Sequence, residues 1–331
     1  MTDLTSGTAV ADKSSRNQWW DVWDQFRKHK GAMIGLWFIL FIVVFTLFGP
    51  LIWPYDAAKP DIRARNTWAI WSCVGQSSGT WPCLFPGEEA RAIKASWWHP
   101  LGTDQLGRDN LARIMIGGRV SLAVGMTAML LSIFLGTLIG VLAGYFRRLD
   151  GVLMRFTDLF LSLPLLPLLL IFAALYKDSL SRMMGPELGV FTLIVVAIGV
   201  TSWMPTARIV RGEVLALKER EFVLAARSIG TQSTKMILRH IIPNVVSPVM
   251  VAAALGVAGA IITESVLSFL GQGFPPDFPT WGSLLFEQIG YLELYPMRPL
   301  LPGILISLTV LSVNYVGDGL RDALDPRIRG R

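Results

Sequence analysis

Residues 218–245 read KEREFVLAARSIGTQSTKMILRHIIPNV. The stretch is basic and amphipathic, and it lies between two apolar segments long enough to cross a membrane. Phe222, Ala225, Ala226 and Ile229 recur at i, i+3, i+4 and i+7, the spacing of one helical face. Lys218, Glu219, Arg220 and Arg227 fall mostly off that face. Gly230 ends the first helix or permits a left-handed turn that a Cβ would resist. Gln232 to His240 reads as a second short helix, and Pro243 marks the start of the next apolar segment. Two readings stand open for this loop: a surface helix packed on its own bundle, or a small-residue face presented to another protein.

The flanking segments set the fold class. Of the 331 residues, 52% are apolar and 16% charged, and mean hydropathy is +0.49, outside the range of ordinary soluble domains. Six windows carry no Asp, Glu, Lys or Arg: Met33–Trp53, Val120–Phe146, Leu159–Tyr176, Leu188–Ala207, Ile241–Thr263 and Pro299–Gly317. Each approaches the roughly 18–20 residues that span a hydrocarbon core of about 30 Å. The expectation is an all-α membrane protein with six transmembrane helices and short helices between the fourth and fifth.

Basic residues orient it. From the N-terminus the segments between windows hold 5, 8, 3, 2, 7, 1 and 4 Lys or Arg. The odd segments are the rich ones, apart from the long second segment, and long translocated loops escape the charge rule. Both termini are therefore expected in the cytoplasm. The net charge of +6 is a topology signal, and no nucleic-acid partner is read from it.

This divides the chain into a cytoplasmic tail (1–32) with the interfacial segment WWDVWDQFRKHK, a first span (33–53), an extracytoplasmic loop (54–119), a core of five spans (120–317) containing the loop 213–240, and a cytoplasmic tail (318–331). The only cysteines, Cys73 and Cys83, fall in the loop 54–119 with Trp68, Trp71, Trp81, Trp97 and Trp98. In an oxidising compartment they form a disulfide that staples a loop too small for its own core; an inverted topology would leave two free thiols. One nearby histidine, His99, is too few ligands for a metal site. Thr103 or Asp104 offers a cap for a helix starting near Leu106.

The loop at 218–245 resembles the signature loop of ABC importer permeases: Glu-Ala-Ala, three residues, Gly, nine residues, Ile, one residue, Leu-Pro. Ala225, Ala226, Gly230 and Pro243 match, Ile242 replaces the Leu, Leu224 stands at the Glu and His240 at the Ile. The resemblance implies that Glu221, Phe222, Ala225, Ala226, Ile229, Gly230 and Pro243 belong to a coupling loop seated in a separate ATPase, with Glu221 standing in for the missing Glu. Three further stretches are similar to the peptide/nickel-type permeases, and to their second subunit: HPLGTDQLGRDNLARIMIGGRVSL (99–122), SVLSFLGQGFPPDFPTWG (265–282) and NYVGDGLRDALDPR (314–327). By this resemblance the chain is half of a conduit for oligopeptides or dipeptides, or for nickel-type solutes. The implied partners are a paralogous permease, two ATPase subunits that bind the ATP and Mg, an extracytoplasmic solute-binding protein, and the lipid bilayer of a bacterial inner membrane.

The sequence has no Gly-Lys dipeptide, hence no Walker-type phosphate loop and no nucleotide site or catalytic residue expected in this chain. No span is expected to contain an internal acid or base, which argues against the alternative of an ion-coupled carrier.

Overall fold

The computed structural model describes residues 18–70 and 97–324, with side chains from residue 20 onward. Cys73 and Cys83, and with them the expected disulfide, lie outside the described residues, as do Trp71 and Trp81. The described residues are helical throughout, apart from loops and isolated bridges such as that between Thr103 and Asp109.

Helix α1 (Gln18–Lys28) turns at His29 into α2 (Lys30–Ile52), and the His29 Nδ1 accepts the Ala32 N–H at 3.0 Å as the N-cap. The amphipathic face of α1 turns Val22 and Phe26 inward and leaves Trp20 and Trp23 exposed. That inner face meets Ala32 and the last turns of α12 (Met297–Leu324) at Ala323. Gly319 of α12 is the close approach: a Cβ there would lie 2.3 Å from the Ala32 Cβ.

Helix α3 (Asn110–Tyr145) is the longest element and packs against α2, α6, α7 and α10. It starts well before the charge-free window, and at Asn110 rather than near Leu106. Asp109 is its N-cap and accepts the Ala112 N–H at 2.8 Å, while Asp104 serves the loop, accepting from the Leu106 and Arg108 N–H groups. Arg113 is therefore inside the helix.

Helices α4 (Arg147–Ser162) and α5 (Leu165–Met184) meet at an 85° bend. The window Leu159–Tyr176 straddles this corner, so the expected third span is a broken one. Pro164 pushes Leu163 out of the helical region and itself lacks an N–H, which forbids a continuous helix. Helices α6 (Pro186–Thr201) and α7 (Trp203–Lys218) form the next span, interrupted at Ser202 (φ −113°, ψ 0°). After α8 (Glu221–Ser228) and α9 (Ser233–Met236), a π-turn over Ile237–Ile241 leads without a stop into α10 (Ile242–Phe269). The second short helix expected over Gln232–His240 is thus the foot of the next span. Helix α11 (Trp281–Gln288) precedes α12. Five segments are long and apolar enough to span a membrane, and the bent α4–α5 pair makes a sixth where it is taken as one span.

Glycines fix the tightest helix pair. Gly136, Gly140 and Gly144 form one stripe of α3 facing α7; a Cβ on Gly140 would sit 2.6 Å from the Ala207 carbonyl oxygen. Small residues four apart let two membrane helices approach at backbone distance. Gly140→Leu should destabilise the fold by about 1–3 kcal/mol, since the clash is with backbone that no side-chain rotation relieves. Thermal unfolding in detergent measures it, and an unchanged melting temperature would refute the close-contact argument.

The structure also corrects the expectation of spans free of acids and bases. Helix α10 runs past the charge-free window ending at Thr263 and buries Glu264 completely. Its carboxyl accepts from the Ser121 hydroxyl at 2.8 Å and the Ser268 hydroxyl at 2.7 Å, joining α10 to α3. An internal acid does lie within a span, one residue beyond the charge-free window.

Candidate functional site

The loop between α7 and α10 forms a two-helix shelf. Helix α8 ends in a Schellman motif: the Thr231 N–H donates to the Ala226 carbonyl (3.2 Å) and the Gly230 N–H to the Arg227 carbonyl (3.0 Å). Gly230 holds φ +80° and a Cβ there would touch nothing within 4 Å, so its backbone conformation alone calls for glycine. Lys218 ties the shelf to the bundle, donating to the Gly144 and Tyr145 carbonyls at 3.2 and 3.0 Å, the orphan acceptors at the end of α3. Arg211 grips Asp150 of α4 through two bonds of 2.5 and 2.7 Å.

The predicted face of α8 divides. Val223 and Ala226 are buried against Val210, Val214, Met236 and Ile241. Phe222, Ala225 and Ile229 face outward, Ile229 at 84% exposure. Ala226 sits at the edge of the stripe, where the inner contact of Val223 one turn earlier claims it. Glu221 opens the helix in its first turn, exposed, where a carboxylate meets the positive end of the helix dipole. Pro243 lies in the first turn of α10 and is exposed. The structure adds Leu224 and Leu238 to the outward surface, and it sets His240 tilted beside the Phe222 ring (centroids 6.4 Å, interplanar 44°). Both residues that depart from the signature pattern, Leu224 and His240, therefore belong to this apolar patch or support it.

At the other end of α3, about 54 Å away for 36 helical residues, three buried charges meet the half-buried Glu287. Asp104 Oδ2 accepts from Arg108 Nε and Arg113 Nη1, both at 2.7 Å. Both guanidinium groups also reach Glu287 of α11, at 3.1 and 2.9 Å, and the Pro276 carbonyl. Asp109 accepts from the Trp53 indole at 2.9 Å and pairs with His99 at 2.9 Å. Arg298 of α12 stacks on the Tyr295 ring at 3.6 Å and donates to Asn66. The blocks 99–122 and 265–282, together with α11, are thus the two jaws of one clasp.

A chain of apolar spans with an exposed helical shelf at one end and a charge clasp at the other matches a known design. The family model described as the binding-protein-dependent transport system inner membrane component matches residues 115–330. This chain belongs to that family. A second model, the N-terminal TM domain of oligopeptide transport permease C, matches residues 17–68. The oligopeptide transport permease OppC of Bacillus subtilis is 34% identical over 319 residues, covering 96% of this chain and 92% of its own. The dipeptide permease DppC of the same organism is 35% identical over 311 residues, covering 93% and 86%. The glutathione transport permease GsiD of Pectobacterium atrosepticum is 34% identical over 329 residues, covering 98% and 97%. A solved chain from the inward-facing MetNI methionine ABC transporter shares the fold with a TM-score of 0.50 at 18% identity, over 63% of this chain and 95% of that one.

The binding-protein-dependent permease is therefore a multi-pass component of a bacterial inner membrane. Its shelf and clasp sit at opposite ends of α3. In the permease, α1 and the end of α12 lie at the shelf end, since α2 leads from His29 to Trp53 at the clasp and α12 leads away from Arg298.

Proposed function

We propose that this permease forms half of a peptide conduit and couples it to ATPase subunits through the α8–α9 shelf. The observation that carries the substrate class is the identity of 34–35% over more than nine-tenths of the chain to relatives named for oligopeptide and dipeptide transport. The shelf supports the coupling role. It is an exposed apolar surface, and the segment between the fourth and fifth charge-free windows holds seven of the 30 basic residues, which supports a cytoplasmic shelf with both termini on the same side. On this reading two ATPases close on ATP, press α8 and rotate α7 against α3, while the clasp end faces an extracytoplasmic solute-binding protein. A paralogous permease supplies the other half of the conduit.

The test is a cysteine at Ala225, which faces outward, paired with cysteines in the cleft of a co-expressed ATPase. A crosslink in membranes whose yield changes with ATP is expected. No crosslink to any co-expressed ATPase, from a protein that remains inserted, would overturn the coupling role. Ala226→Cys serves as the contrast, because its inward position predicts a far lower yield.

A further inference from the structure

We propose that the cavity walled by the α4–α5 corner, the α6–α7 break and the middle of α10 is this subunit's share of the substrate path, a proposal that rests on the importer reading above, and that Gly259 sets its bore. The cavity is about 520 Å³. Both interruptions of the membrane helices border it, through Leu163 and Ser202. Ser202 lies near the middle of the span Pro186–Lys218. Hydrocarbon cannot satisfy the peptide groups that such breaks release, so broken backbone at membrane depth belongs beside protein or water. Two breaks opening onto one space point to a hydrated passage.

Gly259 supplies the independent observation. A glycine inside a helix costs about 1 kcal/mol relative to alanine, and close packing usually explains it. Gly256, one turn earlier on the same wall, is explained in that way: a Cβ there would lie 2.2 Å from the Met129 sulfur. At Gly259 a Cβ would meet nothing within 4 Å, and the residue has no left-handed backbone to explain it. What Gly259 contributes is empty volume facing the cavity.

The wall chemistry names the cargo class. None of the residues around the cavity is charged, and its polar side chains are hydroxyls, among them Ser202 and Thr263. Met129 and Met204 add unbranched thioethers that adapt to varied shapes. Such a surface neither traps nor repels a charged side chain, and it offers hydrogen bonds that any peptide main chain can use. It fits short peptides of varied sequence, with selection left to the soluble binding protein.

The experiment uses the assembled transporter in proteoliposomes, with its binding protein and a labelled mixture of di- to pentapeptides. Gly259→Ala, Gly259→Leu and Gly259→Trp form a series of increasing bulk into open space. Uptake should stay near the starting level with Ala and fall by more than about tenfold with Trp, while ATPase activity and recovery of the paired permease persist. Full uptake by Gly259→Trp would overturn the proposal. So would loss of the paired permease, since the cavity would then be the seat of that subunit. Gly259→Cys adds a readout independent of bulk. A charged, water-soluble thiosulfonate should modify it and peptide should slow the reaction; an unreactive thiol in the active complex would mean a dry site and overturn the path. If the unsubstituted complex shows no ATP-dependent uptake, the importer reading has failed instead, and the thiol accessibility still decides whether the cavity is hydrated.

Discussion

Replacing Asp104 with Ala should destabilise this permease by about 3–5 kcal/mol, the largest effect of any single substitution outside the spans' packing faces. Asp104 is fully buried and bonds Arg108 and Arg113 at once, and its other oxygen accepts two backbone N–H groups of the 104–108 loop. Without it, two buried guanidinium groups share the single carboxylate of Glu287. The size follows from asymmetry rather than from the strength of a salt bridge. An intact buried cluster roughly offsets its own desolvation, whereas removing one partner leaves charge that neither water nor protein neutralises. Thermal unfolding of the detergent-solubilised protein reads the loss. Adding Arg113→Met to Asp104→Ala should recover part of it by removing one of the stranded cations. A melting temperature unchanged by Asp104→Ala would show that the cluster is wet and contributes little.

Placing a carboxylate at both Phe222 and Ile229 should weaken ATPase association by about 2–4 kcal/mol and abolish uptake, while leaving the permease folded. Both side chains are outward-facing, 45% and 84% exposed, so the free subunit loses little by their replacement. A partner that buries them would instead have to bury two unpaired negative charges. Pull-down of the ATPase and ATP-driven uptake measure the two consequences, and the unchanged melting temperature of the isolated permease excludes a folding defect. Normal ATPase binding by the doubly substituted protein would show that the partner docks elsewhere. Ala226→Asp gives the opposite signature, because that position faces Val210 and Met236: the permease itself should be destabilised.

Most of the architecture is legible as hydropathy. Charge-free windows locate helices because hydrocarbon excludes charge, and the spans at residues 30–52, 186–218 and 297–324 contain three of the windows except for Trp53. The same rule hides what lies at helix ends. The meeting of Asp104, Arg108 and Arg113 is not legible, since a sequence does not show that a second segment about 170 residues on supplies Glu287 and the Pro276 carbonyl. Glu264 is hidden for a related reason: four hydroxyl-bearing neighbours, Ser121, Ser265, Ser268 and Thr280, make its burial tolerable, and two of them come from other elements. Pro164 carries its own warning, because proline disfavours helix at the residue before it, yet the apolar run through it masks the corner. On the shelf, Gly230 and the helical period are readable; the inward turn of Ala226 is not, because α8 is short and Val223 decides its rotation.

The seam between α1 and the end of α12 has a consequence for how this chain is made. Val22 and Phe26 leave the ribosome first but find Gly319 and Ala323 only after the whole polypeptide has been inserted. Until then an apolar stripe stays uncovered. Joining the two ends is a non-local step that closes late. A chain cut short before α12 would keep that stripe uncovered.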